Sequence, residues 1–217
     1  MIETTELIDA LVADARPVQR LAAPSLRAAR WLLLPALIFG LLALAHGVRP
    51  DLAQQLQQPE FVVGIAASLM TGILAALASF QLDLPDRSRA WALLPVPTLL
   101  LWVGTITHGC LTNWIDIVPG GMQIGETARC FATVLLTSLP LSVVMFAMLR
   151  HAARLEAASR ATLSGSVAVA AMSASAMMLF HRLDASAMVL VWNLGVAAVI
   201  VALGAPFGRR LIALRHC

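Results

Sequence analysis

Long uninterrupted apolar runs, separated by short polar stretches, set the pattern of this chain. Six runs stand out, at residues 31–46, 61–82, 91–109, 131–149, 161–180 and 187–207. They are continuous and rich in Leu and Ala, not alternating, so they predict helices and not the strands of a barrel. A bilayer offers backbone polar groups no water, and a helix satisfies its own. Each run is near the roughly 20 residues that cross a membrane, the first and third being short. The expected fold is an all-α membrane protein. A six-helix transmembrane bundle occupies 31–207, a polar segment precedes it at 1–30, and a short tail follows at 208–217.

The polar segment carries its own pattern. Leu7, Ile8, Leu11, Val12 and Ala15 recur at helical spacing, with Glu6, Asp9 and Asp14 off that stripe. Thr4 or Thr5 can cap the start, where early acids suit the positive end of the helix dipole. Pro17 ends this short amphipathic helix near Ala15. A basic connector with Arg16, Arg20, Pro24, Arg27 and Arg30 then leads into the first run. One reading is a helix lying on the membrane surface, but such anchors are usually basic and this one is acidic. The other is a helix that docks on a partner.

Composition agrees with the runs and adds an orientation. The chain is 59% hydrophobic and 12% charged over 217 residues, too apolar for a soluble domain. Twelve of its fifteen arginines fall where an inside-first, six-span topology puts cytoplasm, and only Arg49, Arg129 and Arg182 fall outside. The positive-inside bias therefore predicts a bacterial inner-membrane protein with both termini cytoplasmic. The first run begins too late, after four acidic residues, for a cleavable signal peptide. No charge falls within the six runs, and transporters are expected to carry intramembrane ionisable residues for coupling. A small transporter or metal-handling membrane protein stays as the alternative function.

Candidate chemistry concentrates in the outer loop between the third and fourth runs. Cys110 and Cys130 flank it, with His108, Trp114, Asp116 and Glu126 beside or between them and Pro119-Gly120-Gly121 as the turn. Two thiols facing an oxidising compartment can form a disulfide, or they can rest as inert or merely stapling residues. With His108, and with His181 and Asp184 from the last outer loop, they could instead bind a soft or borderline heavy-metal ion. No resident cofactor is implied, and no nucleic-acid contact.

Other sites are weaker. Cys217 has no nearby cysteine. Asp83-x-x-Asp86 resembles half of a metal–diphosphate site but lacks the second carboxylate cluster, which leaves an ordinary polar turn around Pro85. Ser164-Gly165-Ser166 and His181 sit at opposite ends of one span, so a serine hydrolase fails on geometry, and no enzyme is expected. Met172, Met177, Met178 and Met188 read as core filler. Asn193 reads as an interhelical hydrogen bond. Gly204-x-x-x-Gly208, Gly72-x-x-x-Ala76, Ala75-x-x-x-Ser79 and the Gly165–Met177 surface have the spacing of closely packed helices. Residues 30–35 and 89–95 form a faint repeat that interface preferences for Arg and Trp explain.

Read together, several stretches resemble the NrsF-type family of bacterial membrane anti-sigma factors. They are Leu7 to Asp14 with Arg16 to Arg20, Val48 to Leu52, Arg87 to Pro95, Gly109-Cys110, Cys130, and Asp184 to Trp192. The resemblance covers essentially the whole chain in order. It implies a regulator that holds an extracytoplasmic-function sigma factor at the membrane and releases it on a periplasmic heavy-metal or oxidative signal. It places the sensing cysteines at Cys110 and Cys130, and the sigma-binding region before Trp31. The expected partner-binding residues are Leu7, Ile8, Leu11, Val12, Asp14, Arg16 and Arg20. The lipid bilayer is the other partner, and a second copy of the chain is a further candidate. Cys217 departs from the family's cysteine pair.

Overall fold

The computed structural model describes residues 12, 22–84, 86–112, 124–149 and 155–180, and among them it is all helical. In chain order the helices are α1 (Pro24–His46), α2 (Leu52–Gln55), α3 (Pro59–Leu82), α4 (Val96–Thr112), α5 (Ile124–Leu149) and α6 (Leu155–Phe180). A 3-10 turn (Arg89–Leu93) precedes α4. Five helical segments are long and apolar enough to cross a membrane: Pro24–Ala45, Pro59–Leu82, Arg89–His108, Ala132–Leu149 and Arg160–Phe180. The sixth run at 187–207, the 208–217 tail and the N-terminal segment other than Val12 lie outside the described residues.

Two boundaries differ from the hydropathy reading. Helix α1 begins at Pro24, seven residues before Trp31, with the proline in its first turn. Proline suits that place because the missing N–H would be unsatisfied there anyway. Arg27 and Arg30 thus belong to the first spanning helix and not to a connector. The third run splits. Ser88 caps a 3-10 turn by accepting from the Ala90 backbone N–H at 3.2 Å, and α4 restarts after Pro95. The two stretches of the faint repeat consequently adopt different structures, one inside a long helix and one a 3-10 turn.

Helix α3 packs against α1, α4 and α6. Its contact with α6 is lined by small and hydroxylated residues, as the small-residue spacing predicts. A methyl group added at Gly72 would meet the Met172 side chain at 2.7 Å. Ser79 Oγ donates to the Ala161 carbonyl at 2.7 Å, Ser164 Oγ to the Ala75 carbonyl at 2.9 Å, and the Ser68 and Ser175 hydroxyls pair at 2.6 Å. Lipid gives packed helices no hydrophobic advantage over separated ones, so close backbone approach and these bonds hold the pair together.

Two apolar clusters fill the bundle. One joins Trp31, Phe80, Leu141, Met145 and Met172, and the other joins Ala67, Trp102, Ile106, Val134, Ala171 and Met177. A buried indole needs an acceptor, and Trp31 Nε1 donates to the Leu141 carbonyl at 3.3 Å.

Candidate functional site

Cys110 stands in the last two turns of α4 and Cys130 in the second turn of α5. Their backbone registers are informative. Cys110 is four residues beyond Ile106, and Cys130 is four residues before Val134, both members of the second apolar cluster. Residues four apart share a helix face. The two cysteine positions therefore extend, by one turn each, the stripes on which α4 and α5 meet this cluster. Both thiols, the loop at 113–123, His181 and Asp184 lie outside the described residues.

His108 is placed beside Glu60, at the start of α3, with Nδ1 to Oε1 at 3.7 Å. Both side chains are exposed, at 60% and 74%. Among the described residues no three His, Cys, Asp or Glu side chains gather to hold a metal ion. Ser164 is committed to a backbone carbonyl, and Met172 and Met177 are buried core. Of the partner-binding positions only Val12 is described, as a helical and exposed residue. Leu7, Ile8, Leu11, Asp14, Arg16 and Arg20 lie outside the described residues.

Among the described residues, polar groups gather at the two ends of α1, where the sequence placed a basic connector on one side and the stretch after the first run on the other. At the far end, the Arg49 guanidinium makes a two-pronged contact with Asp51, Nε to Oδ1 at 2.9 Å and Nη2 to Oδ2 at 2.6 Å. Its Nη1 donates to the Met178 carbonyl at 3.4 Å, and its backbone N–H donates to the Leu179 carbonyl at 3.2 Å. The last carbonyls of a helix lack intrahelical donors and carry partial negative charge, so a cation at the end of α6 meets both needs. The guanidinium also lies 5.6 Å from the Phe61 ring centroid. The bond from Arg49 holds the Asp51 carboxyl down, at a pKa of about 2.

At the near end, Arg27 repeats the arrangement in a drier setting. Its Nη2 donates to the Met148 carbonyl at the end of α5 at 2.5 Å, and its guanidinium lies 4.9 Å from the Phe80 ring centroid. Nη1 sits 2.9 Å from Oδ2 of Asp83, with the two side chains only 7% and 0% exposed. Oδ1 of Asp83 has no donor among the described residues. Burial pushes the Asp83 carboxyl up, against the opposing pull of Arg27.

Asp83 is thus no ordinary polar turn residue, and the first span does contain a buried charge. Charge counting missed both because it treats every inner arginine as solvated. Pro24 was the available signal: a helix starting there puts Arg27 one turn inside it, on the register of the buried Trp31.

A family model described as "NrsF: Negative regulator of sigma F" matches residues 11–214 of this chain. No curated protein matches it, and no solved structure does.

Proposed function

The chain belongs to the family of negative regulators of sigma F, and from that membership we propose an inner-membrane anti-sigma factor for an extracytoplasmic-function sigma factor. The family match over almost the whole chain, joined to five helices apolar enough to span a membrane, carries the reading. The sigma factor is held by the amphipathic stripe within the N-terminal segment of residues 1–30. Leu7, Ile8, Leu11 and Val12 enter a groove of the partner, as amphipathic helices do. Asp14 and the other acids face the partner's basic DNA-binding surface, while Arg16 and Arg20 flank the helix. The exposed, helical Val12 is compatible with such a docked face.

Release starts at the outer side. Cys110 lies four residues beyond Ile106 on α4 and Cys130 four residues before Val134 on α5, and Ile106 and Val134 belong to the same apolar cluster. Oxidation to a disulfide, or a heavy-metal ion taken up with His108 and His181, changes how α4 and α5 each pack on that cluster. A signal shifts populations only if it prefers one helix arrangement and the sigma factor prefers the other.

Residues 1–30 fused to a soluble carrier should retain the sigma factor in a pull-down. No retention by that fusion, with residues 31–217 proving sufficient instead, would sink the N-terminal assignment. The sensor is tested separately. Cys110→Ser and Cys130→Ser should each leave the sigma factor bound when cells meet diamide or cadmium. Unchanged release in both variants would leave the thiols without a sensing role.

A further inference from the structure

We propose that the buried Arg27–Asp83 pair is a latch that positions the sigma-binding segment, and that opening it is the step by which the bundle lets the sigma factor go. The proposal rests on the anti-sigma reading and names positioning residues for it.

Three observations meet at this pair. Arg27 lies one turn into α1, whose start at Pro24 follows the proposed sigma-binding segment. Its guanidinium ties together three separate parts of the bundle: the Met148 carbonyl ending α5, the Phe80 ring on α3, and Asp83 just past α3. The position and direction of the first turn of α1, to which the preceding segment is joined, are therefore set by where Arg27 sits. A segment held in place also binds its partner with less ordering cost than a loose one.

The pair is built to open. A permanent anchor would satisfy every buried acceptor, whereas Oδ1 of Asp83 and Oε1 of nearby Gln81 have no donor among the described residues. Buried ion pairs contribute little net stability compared with apolar residues of the same shape, yet they fix orientation. Such a contact is specific in geometry and close to balance in free energy.

Helix α1 supplies the connection to the signal side. Its 23 residues span about 35 Å at the usual rise per residue. The chain just past its far end is clasped by Arg49 to the end of α6, and α6 shares the second apolar cluster with the cysteine-bearing helices. A rearrangement of that cluster moves the α6 end and Arg49 with it. Displacement along α1 then reaches Arg27.

The test uses the full-length chain in membranes with its sigma factor. Arg27→Met and Asp83→Asn should each raise unbound sigma factor about 5–150-fold without any stimulus, the range expected of a coupled pair of sites. The double variant Arg27→Met/Asp83→Leu removes both charges and guards against misfolding. It should hold the sigma factor and no longer release it on diamide or cadmium, because an apolar contact cannot unlatch. Single variants that retain the sigma factor as tightly as the native chain would overturn the latch, as would a double variant that still responds like the native chain. If the native chain itself holds no sigma factor, the anti-sigma reading fails beneath it, and the two failures are told apart in one experiment.

Discussion

The two ends of α1 solve the same problem with opposite tolerances. Each places an arginine on the last carbonyls of a neighbouring helix, over a phenylalanine of α3 and against an aspartate. At the Arg49 end the aspartate is 37% exposed and both carboxylate oxygens are bonded. At the Arg27 end the aspartate is fully buried, Oδ2 meets Nη1 at 2.9 Å, and Oδ1 has no donor among the described residues. The difference separates a clasp that water can repair from one that must be either closed or open.

The sharpest way to break this comparison is to remove one partner at the buried end. Asp83→Leu leaves a guanidinium that cannot shed its proton, and it should cost about 3–5 kcal/mol of stability, as uncompensated buried charges do. Arg27→Met should cost less, because Asp83 can take up a proton, which its burial already favours. Unfolding in detergent micelles checks the order, and equal losses would contradict it. Arg49→Met should perturb stability least of the three, since Asp51 can hydrate where it stands.

The next largest effect lies between the ends. Gly72→Leu drives a side chain into Met172 at the α3–α6 contact and should cost about 1–3 kcal/mol, the usual penalty of overpacking. It should weaken both ends alike, because α3 carries Phe61 and Phe80. Ser68→Ala, which removes one interhelical bond, should cost only about 0.6 kcal/mol.

Acidification separates the ends by a different route. The Asp51 carboxyl is depressed to about 2 from its ordinary 3.8. Its contribution is therefore complete above the ordinary value and fades only as pH falls from 3.8 towards 2. The Asp83 carboxyl is raised, so its ionised form is disfavoured by folding and it takes its proton at a higher pH. Lowering the pH should thus dissolve the Arg27 pair first. Infrared bands of protonated carboxyls, assigned by loss in Asp83→Asn and Asp51→Asn, should appear in that order. The reverse order would refute the contrast.

The same contrast explains what could be read from the chain alone. Span positions were legible because crossing a membrane is decided by sums over some twenty neighbouring residues. The runs at 61–82, 131–149 and 161–180 agree with the observed segments within two residues. Close packing of α3 through small residues was legible too, because Gly72, Ala75 and Ser79 keep helical spacing, whereas its pairing with α6 was not. The state of Arg27 was not. Its burial depends on a carbonyl 121 residues away and on an aspartate beyond a different helix, and neither contact leaves a local pattern. The cysteine positions were legible as a flanking pair, while the membership of Ile106 and Val134, one turn from each, in a single apolar cluster needed the fold.

The central claim is that the N-terminal helix holds a sigma factor under control of the outer cysteines. Its most direct test places a photo-crosslinking residue at Val12 of the full-length protein in membranes containing the sigma factor. The account predicts a sigma-factor adduct that disappears on diamide or cadmium and persists when Cys110 and Cys130 are both replaced by serine. No adduct from Val12, or one that responds identically without the cysteines, would contradict it.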